Sequence, residues 1–335
     1  MKLSIVIPVY NVEHFIERCL NSILVPECFL YDVELIIVND GSEDNSFKII
    51  SDYAEKYDNI IVISQNNSGL SCARNMGLNH VSGDYVWFVD SDDSICGNVY
   101  AKLFILFKNN YDVIALTAEI DKNESHDRLF VNRNMLLEGG YSVWKLFNKG
   151  YVYPYSGAQF YVFKTTFLKQ NNLLFREGIF YEDLLFTPLF FCKAQSVYCL
   201  KDVAYIYYMR EGSIINSPIT PKKWRDILTV ADILWSNLQQ YPKNCIQRRI
   251  LSKSVIGICA SFYTNFYMKI SDKTDKYNAV ALFWKRTYWL NALVISRKYK
   301  YLIRLYQLWI FKFLYLINGC NLLKKLFKKD YKYRE

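Results

Sequence analysis

The chain has 335 residues, enough for one large domain or one domain with an extension. A composition 52% hydrophobic and 17% aromatic excludes a disordered chain; nine scattered cysteines, with no Cys-x-x-Cys pair, exclude a disulfide frame or zinc site and read as reduced cytosolic thiols. The net charge of +9 sits in the tail, where residues 281–335 hold 13 Lys and Arg against 2 acids, leaving 28 against 30 in the first 280.

The N-terminus enters a strand pattern at Leu3 with no basic region and long apolar stretch, so no secretory signal is expected. Ser4-Ile-Val-Ile-Pro-Val-Tyr-Asn11 reads as a short apolar strand stopped by Pro8. From Val12 to Leu24, the residues Phe15, Ile16, Cys19, Leu20, Ile23 and Leu24 recur at helical spacing. Val33 to Val38 is a second buried strand, ended by Asn39, Asp40, Gly41 and Ser42. A helix over roughly Asn45 to Tyr57 places Phe47, Ile50 and Tyr53 or Ala54 on one face. Ile60 to Ile63 is a third strand, and after a polar loop a helix from about Leu70 to His80 leads into a fourth, Tyr85 to Val89. Strands alternating with helices of this length predict a parallel, doubly wound α/β sheet with right-handed crossovers.

The chemistry falls at the strand ends, which converge on one crevice in such a sheet. After the fourth strand come Asp90, Asp92 and Asp93, separated only by Ser91. Like charges this dense repel unless they share a cation, and hard oxygen ligands suit Mg2+ or Mn2+ with a phosphate completing the shell. The plainer alternative is a solvated acidic turn. Asp40 is placed either to hydrogen-bond a base or ribose or to cap the next helix, a duty Ser42 or Asp44 also satisfies. Arg74 offers a fork of donors to a pyrophosphate, or a surface salt bridge. There is neither a Gly-x-Gly-x-x-Gly nor a P-loop, so side chains and a metal would have to hold a nucleotide. His14, His80 and His126 are too far apart to suggest a metal site.

Four blocks carry a resemblance: Ser4 to Asn11, Ile37-Val-Asn-Asp-Gly-Ser42, Asn67-Ser-Gly-Leu-Ser-Cys-Ala-Arg-Asn-Met-Gly77 and Gly83-Asp-Tyr-Val-Trp-Phe-Val-Asp-Ser-Asp-Asp93. In this order and spacing they resemble the family 2 glycosyltransferases of GT-A fold, over roughly residues 1–100. The resemblance implies a Rossmann-like, mostly parallel sheet flanked by helices, and an inverting enzyme using a nucleotide-diphosphate sugar, most often UDP-linked, with Mn2+ or Mg2+. Carried over by position, Val9 and Tyr10 line the base pocket, Asp40 bonds the uracil and Arg74 lies near the nucleotide. Asp90 and Asp92 form the metal-binding Asp-x-Asp, with Asp92 the nearer ligand. Pro8, Glu13, Asn67, Gly69 and Ser91 complete the set expected around the nucleotide sugar.

The second half matches less tightly. Asp112 to Ile120 reads as a further strand, 121–140 as a polar surface loop, Ser142 to Asn148 as a short helix, and Phe160 to Gln170 as strand passing into helix. Gly178-Ile-Phe-Tyr-Glu-Asp-Leu-Leu-Phe186 resembles the family's Glu-Asp motif, which implies Asp183 as catalytic base and Glu182 as its neighbour. Inversion by direct displacement needs a carboxylate to take the acceptor's proton; the alternative is two acids that favour a helix N-terminus. Tyr205-Ile-Tyr-Tyr-Met-Arg-Glu-Gly-Ser-Ile214 resembles the family's closing strand, with Arg210 near the diphosphate and Ser213 in a loop over the donor. The Gln-x-x-Arg-Trp of processive synthases is absent, which favours single addition.

These readings divide the chain into a transferase domain over 1–220, with a nucleotide half to 100 and an acceptor half beyond, and a helical basic extension over 221–335. Helices are expected from Trp224 to Gln240 and from Cys245 to Tyr267. Farther on, Arg297, Lys300, Arg304 and Gln307 form a narrow polar stripe on an otherwise apolar, aromatic helix, and Lys312 interrupts its longest apolar run. Such a helix suits a membrane interface, and Lys324, Lys325, Lys328 and Lys329 suit anionic lipid heads. Packing on the catalytic domain is the alternative; no nucleic-acid fold accompanies the lysines. The expected activity is sugar transfer from a UDP-sugar to a hydroxyl of a glycan, or lipid-linked oligosaccharide, acceptor in bacterial surface-polysaccharide assembly, at the inner face of the cell membrane. A catalytically idle nucleotide-sugar-binding scaffold subunit is the second reading. A sugar nucleotidyltransferase would want a Gly-rich loop that Pro8-Val-Tyr-Asn11 does not provide.

Overall fold

The computed structural model describes residues 1–121, 126–129, 134–139, 156–209, 217–262, 269–270 and 272–284. The expected helix at Ser142 to Asn148, Arg210, Ser213 and the basic helix and lysines beyond residue 284 lie outside them. The chain forms two compact units, Met1–Ser217 and Pro218–Glu335.

In the first unit the apolar runs become parallel strands, three of them buried on both faces and the edge one, Ile60–Ser64, only partly buried. β1 (Lys2–Val9), β2 (Asp32–Asn39), β3 (Ile60–Ser64) and β4 (Tyr85–Phe88) pair in parallel in the order β3-β2-β1-β4. The register runs Lys2 with Asp32 to Val9 with Asn39, and Leu3 with Tyr85. The connections are α1 (Ile16–Ile23), α2 (Ser46–Lys56) and α3 (Leu70–His80). The α3 helix approaches the sheet closely at Gly77, where a Cβ would collide with Val6. On α2, Ile50 and Tyr53 are buried as expected, but Phe47 is exposed and Ser46 takes the inward place, accepting the Val12 N–H at 2.9 Å.

The second half of the sheet is mixed. After β5 (Ser94–Ile95) and α4 (Val99–Phe107) come β6 (Val113–Asp121), β7 (His126–Leu129), β8 (Met135–Glu138) and β9 (Tyr161–Lys164). Then follow α5 (Thr165–Gln170), α6 (Glu182–Lys193) and β10 (Ser196–Tyr208). β9 lies antiparallel between β4 and β6, and β10 runs parallel to β6. The loop expected over 121–140 is therefore corrected: β7 pairs with β6 and β8 with β10. β8 owes its form to a strand about sixty residues away, and four-residue edge strands are too short to give a clean period-2 signal. An aromatic stack joins the halves, with Phe175 edge-on to Phe88 at 5.0 Å and stacked on Phe186 of α6 at 4.2 Å.

The amino-terminal edge of the sheet is closed by a buried acid. Glu34 on β2 pairs with Lys2 Nζ at 2.6 Å and accepts from the Ser4 hydroxyl at 2.5 Å and from the Ser82 N–H and hydroxyl at 2.8 and 2.6 Å. Burial alone would raise its pKa, but these bonds outweigh it and hold the carboxyl at about 2. A depressed carboxylate pKa contributes stability above its unfolded value, lost as pH falls through the folded one. Glu34→Ala is therefore expected to cost about 3 kcal/mol at pH 7, with the difference from wild type shrinking below pH 4 in urea titrations. An equal loss at pH 3 and pH 7 would count against this account.

The second unit contains α7 (Pro221–Gln239), α8 (Ile246–Ser261) and α9 (Lys273–Trp284). The Thr220 hydroxyl caps α7 by accepting the Lys223 N–H, and Pro221 suits its first turn. Trp224, Ile227, Val230, Ala231, Leu234 and Leu238 form its buried face.

Candidate active site

The carboxyl ends of β1, β2 and β4 carry the expected residues to one edge. Pro8 and Val9 close β1 and are buried, whereas Tyr10 is 45% exposed and Asn67 and Gly69 are surface residues. Asp40 is buried beyond β2, with Oδ1 accepting from Gln65 Nε2 at 2.7 Å and Ser68 N–H at 2.8 Å, and Oδ2 from Gly69 N–H at 2.8 Å. It thus shapes the loop before α3. The α2 N-terminus is served instead by Asp44, which accepts the Ser46 N–H, and by Glu13, which accepts from Asn45 N and Nδ2 at 2.9 and 2.7 Å. The turn that permits this is Gly41 at φ 72°, where a Cβ would meet Asn67 N at 2.8 Å.

Arg74 organises the centre. On α3 it is 1% exposed, neither a surface ion pair nor open to solvent. Its Nη2 donates to Asp90 Oδ1 at 2.7 Å, and its Nη1 to Glu182 Oε1 at 2.9 Å and Asp183 Oδ1 at 3.4 Å. The Phe175 ring lies 5.1 Å from the guanidinium carbon. One planar group thus brings together acids separated by more than ninety positions in the chain, as only a rigid fork of donors can. Glu182 and Asp183 open α6, and Tyr181 before them adopts a left-handed conformation, φ 65° and ψ 34°, that turns the chain sharply into the helix. Burial, with Glu182 and Asp90 nearby, pushes the Asp183 carboxyl up to about 8 against the opposing pull of Arg74. The Ala158 N–H adds a bond to Asp183 Oδ1 at 3.3 Å.

The acids after β4 separate by environment. Asp93 is 1% exposed, accepting from the Tyr205 hydroxyl at 2.7 Å and the Tyr208 N–H at 2.9 Å; burial, with Asp90 and Asp92 beside it, pushes it up to about 9. It ties the end of β10 to the site. Asp90 and Asp92 are partly exposed, with Ser91 buried between them. Hard carboxylate oxygens at this strand end fit Mn2+ or Mg2+. Among the described residues no group of three or more His, Cys, Asp or Glu has metal-holding geometry, so ligand oxygens would have to complete such a shell.

The sequence reading missed three contributions. Asp93 is the anchor of β10, Gln65 braces Asp40, and Arg18 lies 3.6 Å over the Tyr208 ring while donating to the Asp92 carbonyl at 2.5 Å. Only Asp93 left a signal, the third acid in a run where two suffice for a cation.

Residues 4–177 match the sequence profile of glycosyl transferase family 2. With more than half its length in that match, the chain belongs to this family, and the fold is the GT-A fold expected of it. The uncharacterized glycosyltransferase EpsJ of Bacillus subtilis (strain 168) is 34% identical over 225 residues, 65% of this chain and 64% of its own length. The poly(ribitol-phosphate) beta-glucosyltransferase of Bacillus spizizenii is 32% identical over 225 residues, 66% of this chain but 34% of its own. The chain thus spans less than two thirds of either relative. In fold it resembles the crystal structure of S. aureus TarS 1-349 in complex with UDP-GlcNAc, at TM-score 0.68 and 24% identity over 84% of this chain and 80% of that one.

Proposed function

We propose that the chain transfers a sugar from a UDP-sugar to a hydroxyl of a glycan acceptor, with inversion at the anomeric carbon. The observation that supports this reading is the Arg74 bridge, which draws Asp90 and Asp183 together on one guanidinium; in this reading Asp90 faces the donor and Asp183 the acceptor. Asp183, with its raised pKa, takes the acceptor's proton, and Arg74 and the Ala158 N–H hold it in place. Asp40 fixes the loop where the base is read, beside Val9 and Tyr10. Asp90 and Asp92 would hold a divalent cation, which when bound neutralises the diphosphate leaving group. The UDP-GlcNAc complex of TarS supports a UDP-linked donor. Relatives named for poly(ribitol-phosphate) support a polymeric acceptor. The test is a panel of UDP-sugars with the full chain: slow hydrolysis without acceptor is expected with Mn2+ and is lost in EDTA or in Asp92→Ala. A chain that binds UDP-sugars but never hydrolyses them would be the idle scaffold instead.

The basic, aromatic tail adds peripheral attachment to an anionic membrane face, a reading supported by sequence alone; among the described residues no helix is long and apolar enough to cross a membrane. Substituting Lys324, Lys325, Lys328 and Lys329 together by Glu is expected to release the chain from phosphatidylserine vesicles, at about 1 kcal/mol per charge removed. Unchanged cosedimentation would refute attachment through these lysines.

A further inference from the structure

Besides Arg74 Nε, another buried polar atom on the elements around the carboxylates has no partner among the described residues. Gln159 is 6% exposed, and its Oε1 is buried with no hydrogen bond. Buried carbonyl oxygens are nearly always paired, so an unpaired one on a turn bonded to the carboxylate site is a place where a ligand donor could complete the structure.

The position of Gln159 is fixed on both sides. Its backbone carbonyl accepts from Trp87 Nε1 at 2.7 Å, on the strand that leads to Asp90. The N–H of its neighbour Ala158 reaches Asp183 Oδ1 at 3.3 Å. Because β9 runs antiparallel to β4, the 3-10 turn Ala158–Phe160 that precedes it lies at the same sheet edge as the acids. The carboxamide folds over Gly157, where a Cβ would collide first with Oε1 and also come within 2.8 Å of Cδ and Nε2. Glycine there leaves the carboxamide its room.

We propose that Gln159 is a specificity-determining residue whose carboxamide binds a ring hydroxyl of the sugar being transferred. The inference rests on the transferase reading above and deepens it. Asp90 and Asp92 mark the diphosphate and Asp183 marks the attacking hydroxyl, so the sugar lies between them. Gln159 is tied by one hydrogen bond to the strand bearing the first pair and, through Ala158, to the second. A neutral carboxamide accepts a hydroxyl hydrogen without repelling the diphosphate, as another carboxylate would. A site built to pair with one hydroxyl discriminates against sugars that present it differently.

The test compares binding of UDP, UDP-glucose and UDP-N-acetylglucosamine to the full chain by calorimetry, alongside donor hydrolysis. Gln159→Met keeps the side chain's length but removes its amide. It is expected to leave UDP affinity within twofold and to weaken the preferred UDP-sugar about tenfold. Gly157→Ala displaces the carboxamide without removing it and is expected to give the same split. Equal losses for UDP and UDP-sugar, no change in either, or a defect confined to the acceptor would overturn the assignment. If the wild-type chain binds neither UDP nor any UDP-sugar, the transferase reading itself fails, which is a distinct result.

Discussion

Asp183→Asn is expected to abolish sugar transfer while leaving UDP affinity nearly unchanged. The carboxamide keeps the shape and a bond to Arg74 but cannot accept a proton, and loss of a general base costs on the order of 10² to 10⁴ in rate. Since the wild-type carboxyl is pushed up to about 8 and only its ionised form is a base, kcat/KM is expected to rise with pH through that region and then level off. The variant's residual rate is expected to lack that rise. Calorimetry with UDP and a pH profile of transfer check both points. If UDP affinity fell together with activity, Asp183 would be a structural acid at the start of α6 and no more.

Arg74→Met is expected to have the larger effect on the fold. It would leave Asp90, Glu182 and Asp183 without their shared counter-ion, and removing one partner of a buried ion pair costs about 3–5 kcal/mol. Urea denaturation measures that loss. Arg74→Lys separates folding from function: a lysine restores the charge at one point but cannot bond Asp90 and the α6 acids together. Its expected phenotype is a chain near wild-type stability with transfer slowed by roughly one to two orders of magnitude, a range set by the cost of misplacing a reacting group. Full activity in the lysine variant would mean that the geometry of the bridge is irrelevant and only its charge matters.

How much of this was readable beforehand follows the range of the interactions. The nucleotide half announced itself because each strand is a continuous apolar run and each helix has a local period; α3 spans Leu70–His80, as its pattern predicted. The acids after β4 were placed at the sheet edge by the same reasoning. Pairings between distant residues were not legible. Nothing near Arg74 in sequence indicates that it meets residues 108 and 109 positions away. Glu34 looked like an ordinary member of an apolar strand, and its partners Lys2, Ser4 and Ser82 come from other segments. Asp93 was indistinguishable from Asp92 until burial separated them. β7 and β8 read as loop in the sequence because edge strands owe their form to the neighbour they pair with.

The cluster of Glu34, Lys2, Ser4 and Ser82 sits at the opposite end of the strands from the acids proposed to do chemistry. In that reading durability and turnover are governed from different poles of one sheet. Thermostabilising changes, labels or surface tethers placed at the Lys2 end can be engineered without touching the residues that handle the donor.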